Sequence, residues 1–531
     1  MEKNIISLTV LLSVSDKSGI VSFAKAMLER ANAKLVSSSG TAALLSQNNL
    51  KSETVEDWTG FPEILDGRFK TLHPKIHAAI LAKSNRDDHS RDLSMHGISA
   101  INVVVVNLYP FKEVLLEHSS DHEKLIENID IGGATLLRSA AKNYEDVLVL
   151  VDPADYDRAL EQLLKEGGVD YSFRLEMATK AFRLIADYDH AISAYFIDYF
   201  QKSFPSHRSS CQFEFEPHLF LSLRKAQDLR YGENAHQRAA LYFDSSLKEG
   251  GVAHSSLLQG KDLSYNNLVD ADAAWSCVSS FKETACVIVK HAIPCGLALG
   301  DAALEAYKKA FRGDSLSAFG GIVAFNREVD ESTAVEILNV FVEVVVAPSF
   351  TSAAKRALAS KPNVRVLIPM PPSSDDLYEM KHISSGSFIL QERNFRQITF
   401  NECRVVTDKH PTKLQQRDLL FAWEAVKHLK SNAVIFCANS MSLGIGAAQM
   451  SRIDAVDLAI SKAANRNLNL AGSVIASDAF FPFPDSLERI ATTGAVAIIQ
   501  PGGSVRDQEV IDKANNCGLV MIFTGVRYFR H

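Results

Sequence analysis

Hydrophobic runs rich in β-branched residues alternate with longer segments of helical periodicity over the first 200 residues. Buried strands are predicted at Val10–Val14, Lys34–Ser37, Val103–Val106 and Val147–Val151. Amphipathic helices are predicted between them, including Ile20–Arg30 and Tyr156–Lys165. Such alternation is typical of an α/β domain in which helices cover a parallel or mixed sheet.

The same alternation resumes after a polar segment, Gln201–Gln212, which has the composition of a linker. Further strands are predicted at Ala285–Val289, Ile322–Phe325, Ala433–Phe436, Val474–Ala476 and Ala495–Ile499. A run of proline, serine and aspartate begins at Pro369 and predicts a second boundary near residue 370. We therefore predict domains at residues 1–200, 213–370 and 371–531, with a linker at 201–212.

The composition is that of a globular protein with an acidic balance. Of the 531 residues, 47% are hydrophobic and 22% are charged, and the formal net charge is -7. This balance disfavours binding to nucleic acid or to an acidic membrane surface. The seven cysteines include no Cys-x-x-Cys pair, so free thiols in a reducing compartment are expected. Neither a secretory signal nor a membrane-spanning run is visible, so a cytoplasmic location is expected.

A cation and an imidazole stand together at the end of one predicted strand. Val287–Val289 is followed by Lys290 and His291, and a turn is predicted at Pro294 and Gly296. Acyl transfer needs a base for the proton of a poor nucleophile and a positive charge where an oxyanion forms. Neighbouring side chains of a strand point to opposite faces, so the pair can serve one substrate only if the backbone leaves strand geometry here. The alternative is that both side chains are simply solvated.

Two polar turns follow the first two predicted strands. Ser15-Asp16-Lys17-Ser18-Gly19 and Ser38-Ser39-Gly40-Thr41 each precede a predicted helix. Unpaired backbone N–H groups and the helix dipole at a helix start favour a phosphate group, and the lysine adds a positive charge. The alternative is that these residues are only helix caps and turns. Neither turn has the pattern of a Walker loop or of a dinucleotide-binding loop.

A basic segment, Gly67–His77, adds three cations and two imidazoles, which suit an anionic ligand. His73 and His77 have the spacing of a zinc-binding helix. However, Pro74 lies between them and the glutamate of His-Glu-x-x-His is absent, so no metal is expected there. Three further polar residues near the ends of elements are candidate proton donors and acceptors: Tyr109, Asp130 and Lys142.

In this order, the motifs resemble those of the bifunctional purine biosynthesis family, which joins an inosine monophosphate (IMP) cyclohydrolase to an AICAR transformylase. The cyclohydrolase motifs are Ser13–Gly19, Arg68–Pro74, Asn107–Phe111, Asp130–Gly133 and Ala141–Asn143. The transformylase motifs are Leu229–Gln237, Lys290–His291, Ser317–Gly321, Ser431–Asn432, Gly444–Arg452, Ser477–Phe483 and Arg527–His531. The resemblance runs from about residue 8 to the last residue.

The resemblance implies a methylglyoxal-synthase-like doubly wound domain followed by duplicated cytidine-deaminase-like α/β subdomains. It implies formyl transfer from 10-formyltetrahydrofolate to AICAR, and closure of the product, FAICAR, to IMP with loss of water. It also implies a homodimer, because transformylase sites of the family form across a dimer interface. No catalytic zinc is expected, because a deaminase needs a second cysteine three residues after Cys295 and that position is Ala298. A structural alkali cation in the second region is left open.

Residue roles follow from the same resemblance. In formyl transfer, His291 would be the base, Lys290 would stabilise the oxyanion, and Asn432 would position the reacting groups. The contacts to AICAR and folate would be Arg230, Tyr231, Gly320, Glu343, Arg452, Phe480, Asp485, Arg527 and His531. In closure, Tyr109, Asp130 and Lys142 would move protons. The contacts to phosphate and ribose would be Ser15, Lys17, Ser38, Thr41, Arg68, Lys70, Thr71 and Gly132.

The chain departs from the family pattern at four positions. Ile293 stands where a polar residue is usual, and Ala438 stands where a lysine is usual. Ser39 replaces the first glycine of Gly-Gly-Thr, which matters if that position needs a positive φ. Ala448 replaces a glycine of Gly-Ile-Gly-Ala-Gly. None of the four removes a predicted proton-transfer residue, so activity is expected.

A second function is open for the first domain. The methylglyoxal-synthase-like fold also supplies phosphate-sensing regulatory modules, so the domain could bind nucleotide without closing a ring. The joint presence of Tyr109, Asp130 and Lys142 favours the enzyme.

Overall fold

The computed structural model describes residues 8–204, 215, 218–244, 249–373 and 376–531. The chain forms two compact units, residues 1–222 and 223–531. Residues 205–212 of the predicted linker lie outside the described residues, and residues 201–203 belong to the last helix of the first unit. The predicted domain limits therefore stay predictions.

The first unit contains one sheet, ten α-helices and two short 3-10 helices among its described residues. Its strands are β1 (Thr9–Val14), β2 (Lys34–Ser37), β3 (Glu53–Thr54), β4 (Val103–Asn107) and β5 (Leu148–Leu150). Its helices are α1 (Ile20–Ala31), α2 (Ser39–Gln47), α3 (Val55–Thr59), α4 (Pro74–Leu81), α5 (Asp87–Met95), α6 (Phe111–Glu117), α7 (His122–Glu127), α8 (Gly132–Lys142), α9 (Tyr156–Leu164) and α10 (Tyr171–Ser203).

The five strands are all parallel, in the order β3-β2-β1-β4-β5. Val103–Val106 are almost completely buried, because helices cover both faces of a parallel sheet and leave no polar face. From β1 the chain winds outward to one side through β2 and β3, and later to the other side through β4 and β5. The point between β1 and β4 is where ligands bind in doubly wound sheets.

The second unit has its main strands in one large sheet. Its strands are β6 (Leu223–Leu229), β7 (Ala239–Asp244), β8 (Gly251–Gln259), β9 (Ala285–Lys290), β10 (Ile293–Leu299), β11 (Gly321–Phe325), β12 (Val342–Val346), β13 (Arg365–Met370), β14 (Tyr378–His382), β15 (Phe388–Glu392), β16 (Arg404–Val405), β17 (Val434–Ala438), β18 (Met441–Gly446), β19 (Val474–Ser477), β20 (Ala497–Gln500) and β21 (Val520–Phe523). Its helices are α11 (Tyr265–Ser279), α12 (Ala303–Gly313), α13 (Glu331–Ile337), α14 (Ser352–Ala359), α15 (Lys413–Val426), α16 (Arg452–Asn465), α17 (Asp485–Ala491) and α18 (Asp507–Asn516).

The twelve-stranded sheet is built from two copies of one arrangement. Its order is β16-β21-β20-β19-β17-β18-β10-β9-β11-β12-β13-β8, and the two halves meet at β18 and β10. Read outward from that junction, each half has the same sequence of antiparallel and parallel pairings. The duplicated α/β arrangement that the sequence predicts is therefore confirmed. The predicted division near residue 370 falls directly after β13.

Two hydrophobic cores lie on opposite faces of this sheet. Along β9, Cys286 and Ile288 belong to one core, and Val287 and Val289 belong to the other. The first core also contains apolar residues of α12, α13, α14, α16, α17 and α18, and the second contains those of α11 and α15. A strand buried on both faces cannot show polar alternation, which is why the sequence reads as a continuous apolar run.

The predicted turn at Pro294 and Gly296 is wrong. The chain turns two residues earlier, at His291 and Ala292, where φ is 53° and 59°. Pro294 and Gly296 lie within β10, at an irregularity of its pairing with β9. Gly296 is needed there because a Cβ atom would lie 2.1 Å from the carbonyl oxygen of Ala310. No helix among the described residues is long and apolar enough to cross a membrane.

Candidate active sites

The first site lies at the carboxyl ends of β1, β2 and β4. The backbone N–H groups of Ser15 and Asp16 donate to Oδ1 of Asn107 over 2.6 and 2.9 Å. These bonds join the turn after β1 to the end of β4, across the point where the winding of the sheet reverses. Asn107 was not predicted as a site residue, although its position directly after a buried strand could have indicated it.

Lys17 and Thr41 lie together beside the start of α2. Nζ of Lys17 donates to Oγ1 of Thr41 over 3.0 Å and to the carbonyl oxygen of Val14. Thr41 and Ser38 are buried, and their hydroxyl groups are 3.4 Å apart. Burial lowers the pKa of Lys17, and the positive charge of Lys70 lowers it further. A half-buried ammonium group at a helix start, with a second cation nearby, is suited to a phosphate group.

Asp130 is a half-buried carboxylate two residues before α8 begins. Its Oδ1 accepts the backbone N–H of Gly133 over 2.7 Å. Its own backbone N–H donates over 2.8 Å to the hydroxyl of Tyr188, which donates to the carbonyl oxygen of Asn128 over 3.1 Å. Burial raises the pKa of Asp130, while the N–H groups of Gly133 and Tyr109 and the charge of Lys70 act in the opposite direction. A carboxylate with a raised pKa is a better proton acceptor near neutral pH.

Gly132 packs against the hydroxyl group of Thr71. A Cβ atom at Gly132 would lie 2.3 Å from Oγ1 of Thr71, so any larger residue at position 132 would displace the threonine side chain. Thr71 is only 3% exposed. The contact ties the start of α8 to the basic segment that carries Arg68 and Lys70.

Two further predicted residues have other contacts or positions. Arg68 is exposed and pairs with Glu127. Lys142 is the last residue of α8, whereas Gly132 is the first. At 1.5 Å per residue, the two lie about 15 Å apart along the helix axis. The structure therefore brings Ser15, Lys17, Ser38, Thr41, Lys70, Thr71, Tyr109, Asp130 and Gly132 to one end of the sheet and leaves Lys142 at the far end of α8.

The second site lies along one end of the twelve-stranded sheet, which we call the site end. Strand β9 finishes there, and β11 and β12 begin there, because β9 is antiparallel to β11. In the other half, β17 begins at the same end and β19, β20 and β21 finish there. The predicted residues adjoining these strand ends are Lys290, His291, Gly320, Glu343, Asn432, Arg452, Phe480, Asp485, Arg527 and His531.

Lys290 is held by two carbonyl groups. Its Nζ donates to the carbonyl oxygens of Phe319 and Gly320 over 3.0 and 2.9 Å. Gly320 has a φ of 67°, and a Cβ atom there would lie 3.1 Å from that Nζ. Glycine is therefore required both by the backbone and by the approach of the ammonium group.

His291 is exposed and occupies the first position of the two-residue loop between β9 and β10. The next N–H, of Ala292, donates to Oδ1 of Asp270 over 2.6 Å. Asp270 was not predicted as a site residue. A signal existed, because an aspartate recurs at the matching place before the second hairpin, at Asp418.

Asn432 is fixed by three neighbours. Its Nδ2 donates to the carbonyl oxygens of Gln449 and Met450 over 3.0 and 3.1 Å, and its Oδ1 accepts from Nη2 of Arg452 over 3.0 Å. Nη1 of Arg452 donates to Asp478, which is completely buried. Arg452, a predicted substrate contact, is 6% exposed, and its two terminal nitrogens bond to protein groups that include Asn432.

The remaining predicted residues have their own local contacts. Glu343 accepts a hydrogen bond from Nη1 of Arg365 over 2.9 Å. The guanidinium of Arg230 lies 5.5 Å from the ring centre of Tyr231, and that of Arg527 lies 4.4 Å from the ring centre of Phe529. The ring of His531 lies 5.6 Å from the same phenyl ring. Phe480 is 36% exposed. Asp485 begins α17 and accepts the backbone N–H of Ser486 over 2.7 Å.

A sequence model described as "AICARFT/IMPCHase bienzyme" matches residues 140–462, which is more than half of the chain. The chain belongs to the AICARFT/IMPCHase bienzyme family. A second model, described as "MGS-like domain", matches residues 19–135, and confirms the predicted fold of the first unit. A solved structure titled "Crystal structure of ForH" is 32% identical over 36% of this chain and 99% of that chain, with a TM-score of 0.32.

The two candidate sites lie in different units of this family member, one in residues 1–222 and one in residues 223–531. Among the described residues, no group of three or more His, Cys, Asp or Glu side chains is arranged to hold a metal ion. Cys295 is buried, and burial raises the pKa of its thiol to about 12, so it stays protonated. Ser39 is the first residue of α2 and has no positive φ, so the phosphate turn does not need glycine there.

Proposed function

We propose that this chain transfers a formyl group from 10-formyltetrahydrofolate to AICAR and then closes FAICAR to IMP with loss of water. The observation that carries the proposal is the alignment of Lys290, His291 and Asn432 along one end of one sheet. Membership in the AICARFT/IMPCHase family supports the same pair of reactions.

In formyl transfer, the amine of AICAR attacks the formyl carbon and forms the new C–N bond. His291 accepts the amine proton, because the amine is too weak a nucleophile to attack while keeping it. Lys290 stabilises the negative charge that develops on the formyl oxygen. The bond from that carbon to the folate nitrogen then breaks, and this nitrogen takes up a proton as it leaves.

Orientation of the two substrates contributes more to the rate enhancement than proton transfer does. Strands β10 and β18 lie between β9 and β17, so three strand spacings, about 14 Å in total, separate the strand of Lys290 from that of Asn432. A site of that width has room for a nucleotide beside a pterin. Fixing two reactants contributes roughly 7–11 kcal/mol, whereas acid–base help contributes about 10²–10⁴-fold.

In closure, the carboxamide nitrogen of FAICAR attacks its formyl carbon, and water leaves from the resulting carbinol. Asp130 is suited to accept the amide proton because burial raises its pKa. The hydroxyl group of Tyr109 donates a hydrogen bond to the oxygen that leaves as water. Lys17, Ser38 and Thr41 hold the phosphate at the start of α2. Lys142 lies at the other end of α8 from Gly132, and its part in proton transfer stays a prediction.

We also propose that the chain acts as a homodimer in the cytoplasm. The support for a dimer is a group of exposed apolar side chains near Lys290, with Leu316 77% and Phe319 62% exposed. Apolar side chains that would face water in a single chain are commonly covered by a partner.

The test uses two variants with opposite defects. His291→Ala should lower formyl transfer by about 10²–10⁴-fold and leave closure of added FAICAR unchanged. Asp130→Asn should leave formyl transfer unchanged and let FAICAR accumulate. If wild-type protein binds FAICAR without producing IMP, the first unit is a nucleotide sensor and the closure half of the proposal fails.

A further inference from the structure

Each half of the twelve-stranded sheet contains the same two-residue hairpin. Lys290 pairs with Ile293 around the loop His291–Ala292, and Ala438 pairs with Met441 around the loop Asn439–Ser440. The four loop residues have φ values of 53°, 59°, 52° and 54°. Two-residue hairpin loops of this type need positive φ at both positions, and glycine or asparagine usually fills them.

A carboxylate from the preceding helix caps each loop. In the first half, Oδ1 of Asp270 accepts the N–H of Ala292 over 2.6 Å. In the second half, Asp418 accepts the N–H groups of Asn439 and Ser440 over 2.9 and 2.8 Å. Asp270 thus accepts one N–H group at the tip of its hairpin, and Asp418 accepts two.

The two aspartates occupy equivalent places in the duplicated fold. Asp270 lies on α11 and Asp418 on α15, and both helices pack on the same face of the sheet. Both helices begin with a capping box, at Ser264 and at Thr412. In each of these pairs the residue numbers differ by 148.

Only the first hairpin presents catalytic side chains. The second has Ala438 and Asn439 where the first has Lys290 and His291. The left-handed backbone disfavours any residue with a Cβ atom, so histidine at this place needs compensation. Asp270 provides part of it through the hydrogen bond from Ala292, and its carboxylate also lies near the ammonium group of Lys290.

We propose that Asp270 is a positioning residue for formyl transfer, because it fixes the loop that carries His291 and thereby sets the direction of the imidazole. The inference rests on the proposed transformylase function. Asp418 performs the same structural task in a loop that carries no catalytic group. The chain therefore contains its own control for a purely structural role.

The experiment compares Asp270→Asn with Asp418→Asn in the full-length protein. For Asp270→Asn we expect the kcat of formyl transfer to fall 10- to 100-fold, while the KM for AICAR changes less than threefold. Both substitutions should lower the melting temperature by a similar amount. For Asp418→Asn, however, we expect the kcat of formyl transfer to stay within twofold of wild type. Asp270→Glu, which keeps the carboxylate, should recover part of the rate. Closure of FAICAR should be unchanged in all three variants.

A second measurement does not depend on activity. Diethyl pyrocarbonate modifies accessible imidazoles, and mass spectrometry gives the rate at which His291 reacts. Asp270→Asn should change that rate at least threefold, and Asp418→Asn should leave it unchanged. Equal transfer rates and equal His291 reactivity in the two variants would overturn the inference. If wild-type protein shows no formyl transfer, the proposed function fails, and the modification rates still decide whether Asp270 orients His291.

Discussion

Nη2 of Arg452 donates a hydrogen bond to Oδ1 of Asn432 over 3.0 Å, and Nη1 of the same guanidinium pairs with the buried Asp478. One arginine thus links a buried charge to a side chain that is half-exposed at the site end of the sheet. Only a planar group with several donors can make both bonds at once. One of the hydrogen bonds that orient Asn432 therefore comes from a residue that is almost completely buried.

Replacing Arg452 with lysine keeps the charge opposite Asp478 and removes the second donor. We expect the free energy of unfolding to fall by about 2 kcal/mol, since hydrogen bonds to charged groups contribute on this scale. We expect the kcat of formyl transfer to fall at least tenfold, because Asn432 loses the one donor that holds its side-chain oxygen. Arg489→Lys is the matched control, since Arg489 forms an exposed pair with Asp457. Wild-type transfer by Arg452→Lys would contradict the assignment.

Ala448 is an alanine in a left-handed conformation, with a φ of 57°. Its N–H donates to the carbonyl oxygen of Lys430 over 2.7 Å, beside the pairing of Gln449 with Asn432. Because the left-handed region disfavours a Cβ atom, Ala448→Gly should raise the free energy of unfolding by about 1 kcal/mol. Chemical denaturation measures this. Ala447→Gly, at a neighbour without positive φ, should instead be destabilising.

Replacing Gly40 or Gly132 with alanine should affect the stability of the first unit differently. A Cβ atom at Gly40 would meet nothing within 4 Å, whereas one at Gly132 would lie 2.3 Å from Oγ1 of Thr71. Gly40→Ala should therefore keep or raise the melting temperature, yet raise the KM for FAICAR at least threefold, because the open space at the start of α2 is the proposed phosphate site. Gly132→Ala should lower both the melting temperature and the rate of closure. An unchanged KM in Gly40→Ala would move the phosphate elsewhere.

Phosphate binding should weaken with rising pH because of Lys17. Burial and the charge of Lys70 hold its pKa below the ordinary 10.5, so its ammonium loses its proton at a lower pH than an exposed lysine would. Affinity for inorganic phosphate is then present below that lowered pKa and lost as pH rises through it. Calorimetric titration over alkaline pH should find this loss, with proton uptake on binding. Lys17→Met should bind at least tenfold more weakly at neutral pH and show no such proton uptake.

The sequence predicted strands well where both faces are buried. Lys34–Ser37 is correct at both ends, and Val103–Val106 differs from the observed strand by one residue. The turn after Lys290 was misread because Pro294 and Gly296 have turn character locally. Glycine is needed at position 296 for a different reason, because it makes room for the carbonyl group of Ala310. The local sequence of the hairpin cannot reveal this contact, because Ala310 belongs to α12, which follows later in the chain.

The same limit applies to the site. Lys290, His291 and Asp130 could be found because their residue types stand at strand or helix ends. The orienting role of Arg452 could not, since it depends on Asp478, which is 26 residues away in the sequence. Asp270 could have been found only by comparing the two halves, where an aspartate recurs before each hairpin.

The most direct test is a coupled assay of the purified protein with AICAR and 10-formyltetrahydrofolate. Absorbance follows the release of tetrahydrofolate, and chromatography follows IMP. We predict that one IMP forms for each tetrahydrofolate released, with FAICAR as a transient species. No release of tetrahydrofolate from folded, full-length protein would contradict the account.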